Sequence, residues 1–284
     1  MNAGGFSIVI PTFQRSSTVG AAIGSALSQQ GPDVEVVLVD DGSTDSTAEV
    51  LADFDDERLV VLRQANAGRC AARNAGVERA GHDWLIFLDS DDELLPGALS
   101  TFEAGRAAGA SLLVAPLKRR LNGGQRIDGD IQWDEVRGLP WGLQAGAFAI
   151  ERILLREVGG YCPYLHHSEH TEMAFRLRRL TPKPIVSRLS NPTVTIQDSE
   201  RIYDPALQYQ SATHLLEHLS QEMAEDREAR AVYLGIAGEA AGRLGRRYEA
   251  TTLLGRSLAA KPRFRTAARL LRAAIHPPRT SAPG

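Results

Sequence analysis

The sequence predicts an α/β fold, with a mostly parallel sheet covered by helices on both faces and an all-helical C-terminal extension after it. Short apolar segments alternate with segments of helical spacing up to about residue 118. The predicted strands are apolar throughout, which is typical of a parallel sheet that is buried on both faces. From Pro205 onward the pattern is helical only.

The first part of the chain alternates strictly between strand and helix. Strands are predicted over residues 6–10, 34–39, 58–63, 83–89 and 111–117. Ser17 is predicted to cap the first helix, and Ser46 with Glu49 forms a capping box for the second. A third helix is predicted over residues 68–80, and Pro96 suits the first turn of a fourth.

The pattern loosens after residue 118. An Asn-Gly-Gly sequence at 122–124 predicts a hairpin turn. Residues 146–161 predict an amphipathic helix that ends at Gly159 and Gly160. The remaining predicted elements are a helix over 169–180 and short strands over 183–188 and 193–197.

These patterns predict three parts, namely a sheet domain over 1–200, a helical extension over 201–276 and a disordered tail over 277–284. Helix breaks are expected near Gly245 and Pro262. The helical pattern over residues 233–262 resembles one tetratricopeptide unit, although a solenoid needs about three repeats.

Composition points to an ordinary globular protein. No apolar run approaches the roughly 18 residues of a spanning helix, and the N-terminus lacks the features of a signal peptide, so a cytoplasmic location is expected. Cys70 and Cys162 have no metal-ligand spacing and are interpreted as free thiols. From Arg243 to the end the chain carries ten Arg or Lys residues and one acidic residue, Glu249. We expect no nucleic-acid partner. A peripheral contact of these basic helices with the inner membrane face and a solvated helical face both stay open.

Polar clusters follow each of the first four predicted strands, at residues 11–15, 40–46, 64–69 and 89–93. The carboxyl ends of parallel strands meet at one edge of a sheet, which is where ligands bind in open α/β sheets. The sequence therefore predicts a ligand site built from these four clusters.

The fourth cluster has metal-binding character. Asp89 and Asp91 flank Ser90, and residues two apart in extended chain point the same way. Two carboxylates suit a hard divalent ion, Mg²⁺ or Mn²⁺, and Mg²⁺ also takes phosphate oxygens. The alternative is an acidic loop in which Asp92 and Glu93 favour the start of the following helix.

Two further clusters suit a nucleotide. Asp40 and Asp41 close the second strand, where an acidic residue commonly accepts hydrogen bonds from a ribose, although the same residues suit a turn. Arg69 and Arg73 lie on one helix face with Asn74 adjoining. Their guanidinium groups suit phosphate oxygens, the acidic cluster itself, or a surface ion pair.

Five motifs in order, SIVIPTFQR, EVVLVDDGSTDST, QANAGRCAARNAG, WLIFLDSDDELLPGAL and AFAIERILLREVGGY, resemble the inverting family 2 glycosyltransferases over residues 6–180. The resemblance implies the Rossmann-like nucleotide-sugar-binding type-A (GT-A) fold. It also implies a UDP-, GDP- or dTDP-sugar donor and a hydroxyl acceptor, which is a glycan, a lipid-linked glycan or a secondary metabolite. A divalent cation, Mg²⁺ or Mn²⁺, would sit on Asp89 and Asp91, with Asp91 the more direct ligand. The predicted donor-binding residues are Pro11, Thr12, Phe13, Arg15, Asp40, Asp41, Arg69, Arg73, Asn74, Asp89 and Ser90.

The chain departs from the family at the catalytic base. Members usually carry Glu-Asp at the start of the helix after the glycine pair, and here Glu169 and His170 take these positions. Histidine near its ordinary pKa is a competent base at neutral pH, so His170 is predicted as the base with Glu169 beside it. Alternatively, Glu169 or Glu172 turns inward, or base strength is lost and the protein binds donors without efficient transfer.

The sequence also permits a different metal site and different functions. A cluster of His166, His167, Glu169 and His170 could hold a transition metal, although its spacing matches no zinc motif. Many family members carry a metal-binding histidine after the last strand, where this chain has Gln197 and Asp198. A nucleotidyltransferase would need a glycine-rich basic loop after the first strand, which residues 11–20 do not form. The C-terminal helices could also form a docking module.

Overall fold

The computed structural model describes residues 4–106, 109–121, 124, 126–131, 133–134, 139–140, 142–197, 204–220, 224, 226–262, 266–267 and 269. The chain divides into two compact units. The first comprises Met1–Pro163 and Glu169–Glu200, and the second comprises Tyr164–Ser168 and Arg201–Gly284. The three-part division with a boundary at residue 200 stays a proposal, and the predicted tail at 277–284 lies outside the described residues.

The strands are β1 Phe6–Thr12, β2 Val34–Asp40, β3 Leu59–Arg63, β4 Trp84–Phe87, β5 Glu93–Leu94, β6 Leu112–Val114, β7 Leu117–Arg120, β8 Arg126–Gly129, β9 Trp133–Asp134, β10 Leu139–Pro140, β11 Phe148–Glu151, β12 Val186–Arg188 and β13 Val194–Gln197. The helices are α1 Val19–Leu27, α2 Thr47–Ala52, α3 Arg69–Arg79, α4 Ala98–Gly105, α5 Arg152–Glu157, α6 Glu169–Leu177, α7 Pro205–His218, α8 Arg227–Arg243 and α9 Arg247–Ala260.

A seven-stranded sheet forms the core of the first unit, in the order β12-β6-β11-β4-β1-β2-β3. Only β11 runs antiparallel to its neighbours, β4 and β6. Every residue of β1 and β4 is buried, as expected for a sheet that is covered on both faces. The predicted α/β fold with a mostly parallel sheet, followed by C-terminal helices, is confirmed.

The predicted helix over 146–161 is wrong in its first half. Phe148, Ala149 and Ile150 are fully buried in strand β11, in the middle of the sheet, and the helix begins only at Arg152. A short apolar run fits a buried strand as well as a buried helix, so periodicity alone does not separate the two. The predicted fifth strand over 111–117 is also divided, because β6 and β7 belong to different sheets.

Three predicted helix starts are corrected. Helix α1 begins at Val19 with Thr18 as its cap, because the amides of Thr18 and Val19 both bind the carbonyl of Arg15 in a turn that precedes the helix. Ser46 does cap α2 by position, but its side chain makes no capping hydrogen bond, and Asp45 accepts from the Thr47 amide instead. Pro96 lies before α4, which starts at residue 98.

A smaller four-stranded sheet has the order β5-β13-β7-β8. Strands β7 and β8 pair antiparallel, as the predicted hairpin requires, although residues 122 and 123 of its turn lie outside the described part of the chain. Strands β5 and β13 also pair antiparallel. This pairing brings the chain just after the fourth polar cluster against residues 194 and 195.

Helix α3 packs closely on the sheet through Gly76. A side chain at this position would overlap the Cγ1 atom of Val9, which is fully buried in β1. We expect Gly76→Ala to lower the free energy of unfolding by about 1–3 kcal/mol, because the overlap forces the helix away from the strand. Gly24→Ala in α1 is the matched control, since nothing lies within 4 Å of its new methyl group. Equal urea midpoints for the two variants would contradict this packing.

The described part of the second unit is mostly helical, apart from residues 164–168. Asp204 caps α7 and Asp226 caps α8, each accepting backbone amides with its side chain. The predicted break near Gly245 is confirmed between α8 and α9, where this glycine has a φ of 78°. Within the described residues, no helix has the length and apolar character needed to cross a membrane.

Candidate active site

The ends of β1, β2 and β4 and the start of α3 lie together at one edge of the sheet. The amide of Asp41, just past β2, binds the carbonyl of Thr12 at the end of β1 at 2.9 Å. The two carboxylate oxygens of Asp41 accept the amides of Ala67 at 2.9 Å and Gly68 at 2.8 Å. Asp41 therefore ties the loop before α3 to the end of β2.

Asp40, the last residue of β2, is buried and accepts the amide of Ser43 at 2.9 Å. Arg63 lies 3.6 Å from its other oxygen. Pro11 and Thr12 are buried at the end of β1, whereas the ring of Phe13 is 43% exposed. The exposed ring of Phe13 and the buried carboxylate of Asp40 thus follow neighbouring strands.

The acidic cluster brings three carboxylates together. Ligand oxygens of Asp89, Asp91 and Asp92 all lie within 4.8 Å of one another, with Asp92 buried and the other two partly exposed. Three oxygens this close fit the donor set of a hard divalent cation such as Mg²⁺ or Mn²⁺. Among the described residues, this is the only group of three or more His, Cys, Asp or Glu side chains with such spacing. That finding contradicts the alternative cluster of His166, His167, Glu169 and His170.

The helix-start interpretation of the same acids is wrong. Helix α4 begins at Ala98 and has no acidic residue in its first turn, while Glu93 lies in strand β5. Asp92, which is absent from the ligands predicted by sequence, accepts the amide of Gln197 at 2.9 Å. The side chain of Gln197 donates to Glu93 at 2.9 Å, and residue 198 lies outside the described part.

Arg73 provides the positive charge closest to Asp89. Its side chain is fully buried, and Nη2 donates to Oδ1 of Asp89 at 2.6 Å. Nη1 donates to Oε1 of Glu169 at 2.8 Å. Burial by itself would raise the pKa of Glu169, but the charges of Arg73, His170 and Arg69 and the hydrogen bond from Arg73 together outweigh it and hold the pKa at about 2. One buried guanidinium group thus joins the acidic cluster to the start of α6.

Several other predicted residues border this network. Arg15 Nε lies 3.9 Å from Asp91, and Arg69 lies 3.9 Å from Glu169 with half of its side chain exposed. Ser90 is buried within the acidic cluster. Asn74 donates to the carbonyl of Tyr161 and accepts its amide, both at 2.9 Å. The Asn74 side chain therefore fixes the chain that leads into α6.

His170 lies in a buried aromatic environment. Its ring packs edge-on against Phe148 and Tyr161, each with centroids 5.5 Å apart, and Nδ1 lies 3.1 Å from the Tyr161 hydroxyl. Nε2 is buried and has no hydrogen-bond partner among the described residues. Burial, with a further contribution from Arg73, lowers the pKa of His170 to about 4. Glu172 pairs with Arg176 through both carboxylate oxygens.

This shifted pKa predicts a pH dependence of stability. Between pH 6.5, the ordinary pKa of histidine, and pH 4, the unfolded chain binds a proton at His170 that the folded chain does not. The free energy of unfolding should therefore fall as the pH is lowered across this range, by up to about 3 kcal/mol from this group. We expect His170→Asn to flatten this part of the urea-unfolding pH profile. His218→Asn, an exposed control on α7, should leave it unchanged.

Cys70 and Cys162 are thiols that form no disulfide, as predicted. Cys70 is buried on α3, and burial raises the pKa of its thiol to about 12. This thiol therefore stays protonated at neutral pH and is a poor nucleophile.

Comparison with known proteins finds a family match in the first part of the chain. Residues 7–116 match the model of glycosyl transferase family 2. A PGL/p-HBAD biosynthesis glycosyltransferase from Mycobacterium bovis is 33% identical over 158 residues, which cover 53% of this chain and 54% of that protein. Matches to the first curated relatives cover about half or less of their length.

Solved structures agree on the fold. S. aureus TarS in complex with UDP-GlcNAc superposes with a TM-score of 0.65 at 19% identity, over 95% of this chain and 87% of that one. A mannosyltransferase from Pyrobaculum calidifontis in complex with GDP-Man and Mn²⁺ has a TM-score of 0.56 at 18% identity, over 95% and 79%. Over residues 7–116 the chain has the sequence pattern of a glycosyl transferase family 2 domain. The family resemblance seen in the sequence is confirmed.

Proposed function

We propose that this protein transfers a sugar from a nucleoside-diphosphate sugar to a hydroxyl acceptor, with inversion at the anomeric carbon and with the help of a divalent cation. The observation that carries the proposal is the group formed by Asp89, Asp91 and Asp92, at the end of β4 and beside the end of β1. A nucleotide diphosphate needs both a cation site and a nucleoside site, and this edge of the sheet offers residues for each.

The cation would be held by Asp91 and Asp92, with Asp89 contributing the oxygen that Arg73 leaves available. Oxygen-only ligation favours Mg²⁺ or Mn²⁺ over softer metals. When bound, such an ion supplies positive charge that stabilises a leaving diphosphate. The similarity to a mannosyltransferase solved with Mn²⁺ supports this assignment.

The donor nucleotide would lie along the ends of β1 and β2. Phe13 presents an exposed ring that suits stacking on a base, and Asp40 suits the ribose hydroxyls. Arg15 and Arg69 are partly exposed and lie next to carboxylates of the site, where they can meet phosphate oxygens. The similarity to structures with UDP-GlcNAc and GDP-Man supports a UDP-, GDP- or dTDP-sugar.

Transfer would be a single displacement. The acceptor oxygen forms a bond to the anomeric carbon while the bond from that carbon to the diphosphate oxygen breaks, and the electron pair leaves with the diphosphate. The acceptor proton would pass to Nε2 of His170 in the tautomer whose hydrogen is on Nδ1, since Nε2 has no partner among the described residues. Glu169, bound to Arg73, holds the start of α6 in place next to His170.

A second candidate is a donor-binding protein with very slow transfer. The observation that favours it is the lowered pKa of His170, at about 4, because so weak a base accepts a proton poorly from a hydroxyl group. This candidate predicts donor binding without release of the nucleoside diphosphate for any acceptor.

The helical C-terminal unit suits a docking role for a carrier-bound or lipid-linked acceptor. Its exposed cations on α9, among them Arg247 and Arg256, would favour an acidic membrane surface. An acceptor range that is unchanged after removal of residues 205–284 would contradict the docking role.

The experiment that tests the transferase proposal measures release of nucleoside diphosphate. UDP-, GDP- and dTDP-sugars are each incubated with Mn²⁺, Mg²⁺ or EDTA and with glycan, lipid-linked glycan and secondary-metabolite acceptors. The proposal expects one nucleotide class to react only with a divalent ion present, and NMR of the product to show the inverted anomer. Turnover in EDTA, or a retained anomer, would overturn it.

A further inference from the structure

We infer that Tyr161 is a positioning residue for His170. The structure assigns its hydroxyl as the group that keeps the ring hydrogen of His170 on Nε2 and so limits the use of that nitrogen as a proton acceptor. This inference rests on the proposed function and concerns how fast the transfer can run.

The two side chains form a rigid buried pair. Tyr161 is 1% exposed and His170 is 8% exposed, and their Oη and Nδ1 atoms lie 3.1 Å apart. Asn74 holds the backbone of Tyr161 through two hydrogen bonds. The Tyr161 ring also packs edge-on against Phe87, with centroids 4.9 Å apart, and lies 5.2 Å from the Arg73 guanidinium carbon. The hydroxyl therefore has little freedom to turn away from Nδ1.

Elementary hydrogen-bond chemistry decides which atom donates. A phenol O–H is more acidic than the N–H of a neutral imidazole, and the unprotonated imidazole nitrogen is a better acceptor than a phenol oxygen. Burial raises the pKa of Tyr161 well above its ordinary value, so the hydroxyl keeps its hydrogen. The Tyr161 hydroxyl thus donates to Nδ1 of His170, and in the neutral ring the hydrogen resides on Nε2.

The opposite arrangement leaves more groups unsatisfied. If Nδ1 carried the hydrogen and donated to Tyr161, the buried hydroxyl hydrogen would have no acceptor among the described residues. The Nε2 lone pair would also lack a partner, since no described residue bonds this atom. With the hydrogen on Nε2, this N–H is the only group of the pair that lacks a hydrogen-bond acceptor among the described residues. An oxygen atom of a bound ligand would supply that acceptor.

This tautomer has a direct consequence for catalysis. An Nε2 atom that already bears a hydrogen donates to an oxygen of the substrate and cannot take a proton from the acceptor hydroxyl. Proton uptake requires the other tautomer, in which the Tyr161 hydroxyl loses its acceptor. The Tyr161 hydroxyl therefore lowers the rate of sugar transfer.

The charged groups that act on His170 come from three parts of the chain. Arg73 and Arg69 from α3 oppose protonation of the ring, while Glu169 beside it and Asp89 after β4 favour it. None of these groups bonds to either ring nitrogen in the described structure, so they leave the choice of tautomer to Tyr161.

The test compares the wild type with Tyr161→Phe, which keeps the ring packing and removes only the hydroxyl. Nitrogen-15 NMR of the histidine side chains, assigned with His170→Asn, reports which ring nitrogen carries the hydrogen. We expect the hydrogen on Nε2 in the wild type and a shift toward Nδ1 in the variant. A wild-type spectrum with the hydrogen on Nδ1 would overturn the inference, whether or not any donor is turned over.

Turnover provides the second readout. With a donor that the wild type uses, we expect Tyr161→Phe to raise kcat about tenfold, since one tautomer is no longer favoured by the hydroxyl, with the KM for donor unchanged. In a His170→Asp background the same change should alter kcat less than about twofold, because a carboxylate has no tautomer to set. Tyr248→Phe, at an exposed position, is the matched control. A fall in kcat for Tyr161→Phe would show that the hydroxyl helps His170 to accept the proton. It would contradict the inference that the hydroxyl lowers the transfer rate.

Discussion

Asp91→Asn is expected to lower the rate of nucleoside diphosphate release at least about a hundredfold, because it removes a charged ligand of the cation that stabilises the leaving group. Asp91 is partly exposed within the acidic cluster, and its carboxylate lies 3.9 Å from Arg15. An amide keeps the shape of the side chain but loses its charge, so the fold should persist. Initial rates at saturating Mn²⁺, with circular dichroism as the fold check, measure the effect.

Asp56→Asn is the control with the same chemical change. Asp56 pairs with Arg58 at 2.7 Å on the surface and lies outside the acidic cluster. Its variant should transfer sugar at the wild-type rate. Equal rates for both variants would mean that the cluster has no part in transfer, and would remove the cation from the proposed mechanism.

Arg73→Met is expected to lower the free energy of unfolding by about 3 kcal/mol, because it leaves the buried carboxylate of Glu169 and the partly exposed carboxylate of Asp89 without their shared cation. Asp89 and Glu169 both bind this fully buried guanidinium group, at 2.6 Å and 2.8 Å. Methionine fills a similar apolar volume, so the loss reports the uncompensated charges more than a cavity. Urea unfolding at neutral pH measures it.

The matched control is Arg58→Met, which removes a surface pair with Asp56 and should cost less than about 1 kcal/mol. Adding Glu169→Gln to Arg73→Met removes one of the two carboxylate charges that have lost their arginine partner. The double variant should therefore recover part of the lost stability. If Arg73→Met were as stable as Arg58→Met, the buried arginine would not be needed to hold the acidic cluster to α6.

The edge of the sheet that is proposed to bind a ligand could be located from the sequence because strand ends are local features. An apolar run that stops at a polar cluster shows where a parallel strand ends, and neighbouring strands bring those ends together. Asp40 and the pair formed by Asp89 and Asp91 can be located in this way. The same local patterns predict α3 and the hairpin of β7 and β8.

The remaining features depend on contacts between distant parts of the chain. Strand β11 fits a helical pattern equally well, and only its position between β4 and β6 makes it a strand. In the sequence, Asp92 fits the cap of the following helix. In the structure, strand β5 lies between Asp92 and α4 and pairs with β13, so α4 begins only at Ala98. The choice for Arg73 between phosphate and carboxylate partners could not be made from spacing, since its second partner, Glu169, lies 96 residues further along.

His170, the proposed base, shows most clearly what could not be predicted from the sequence. The family resemblance implies that His170 stands where an acidic base is usual, and an ordinary histidine pKa is the natural expectation. In the structure, burial lowers this pKa to about 4 and Tyr161, nine residues earlier, occupies Nδ1. The sequence of α6 predicts neither the burial of His170 nor its contact with Tyr161. Both depend on the packing of Tyr161 against α3, where Asn74 binds its backbone.

Calorimetric titration of the protein with UDP, GDP and dTDP, each in Mn²⁺ and again in EDTA, tests the central claim most directly. The acidic cluster and the ends of β1 and β2 are proposed to bind a nucleoside diphosphate together with a cation. We predict that one nucleotide class binds in Mn²⁺ and that EDTA abolishes its binding. Binding of equal strength in EDTA, or no binding of any of the three nucleotides in Mn²⁺, would contradict this account of the site.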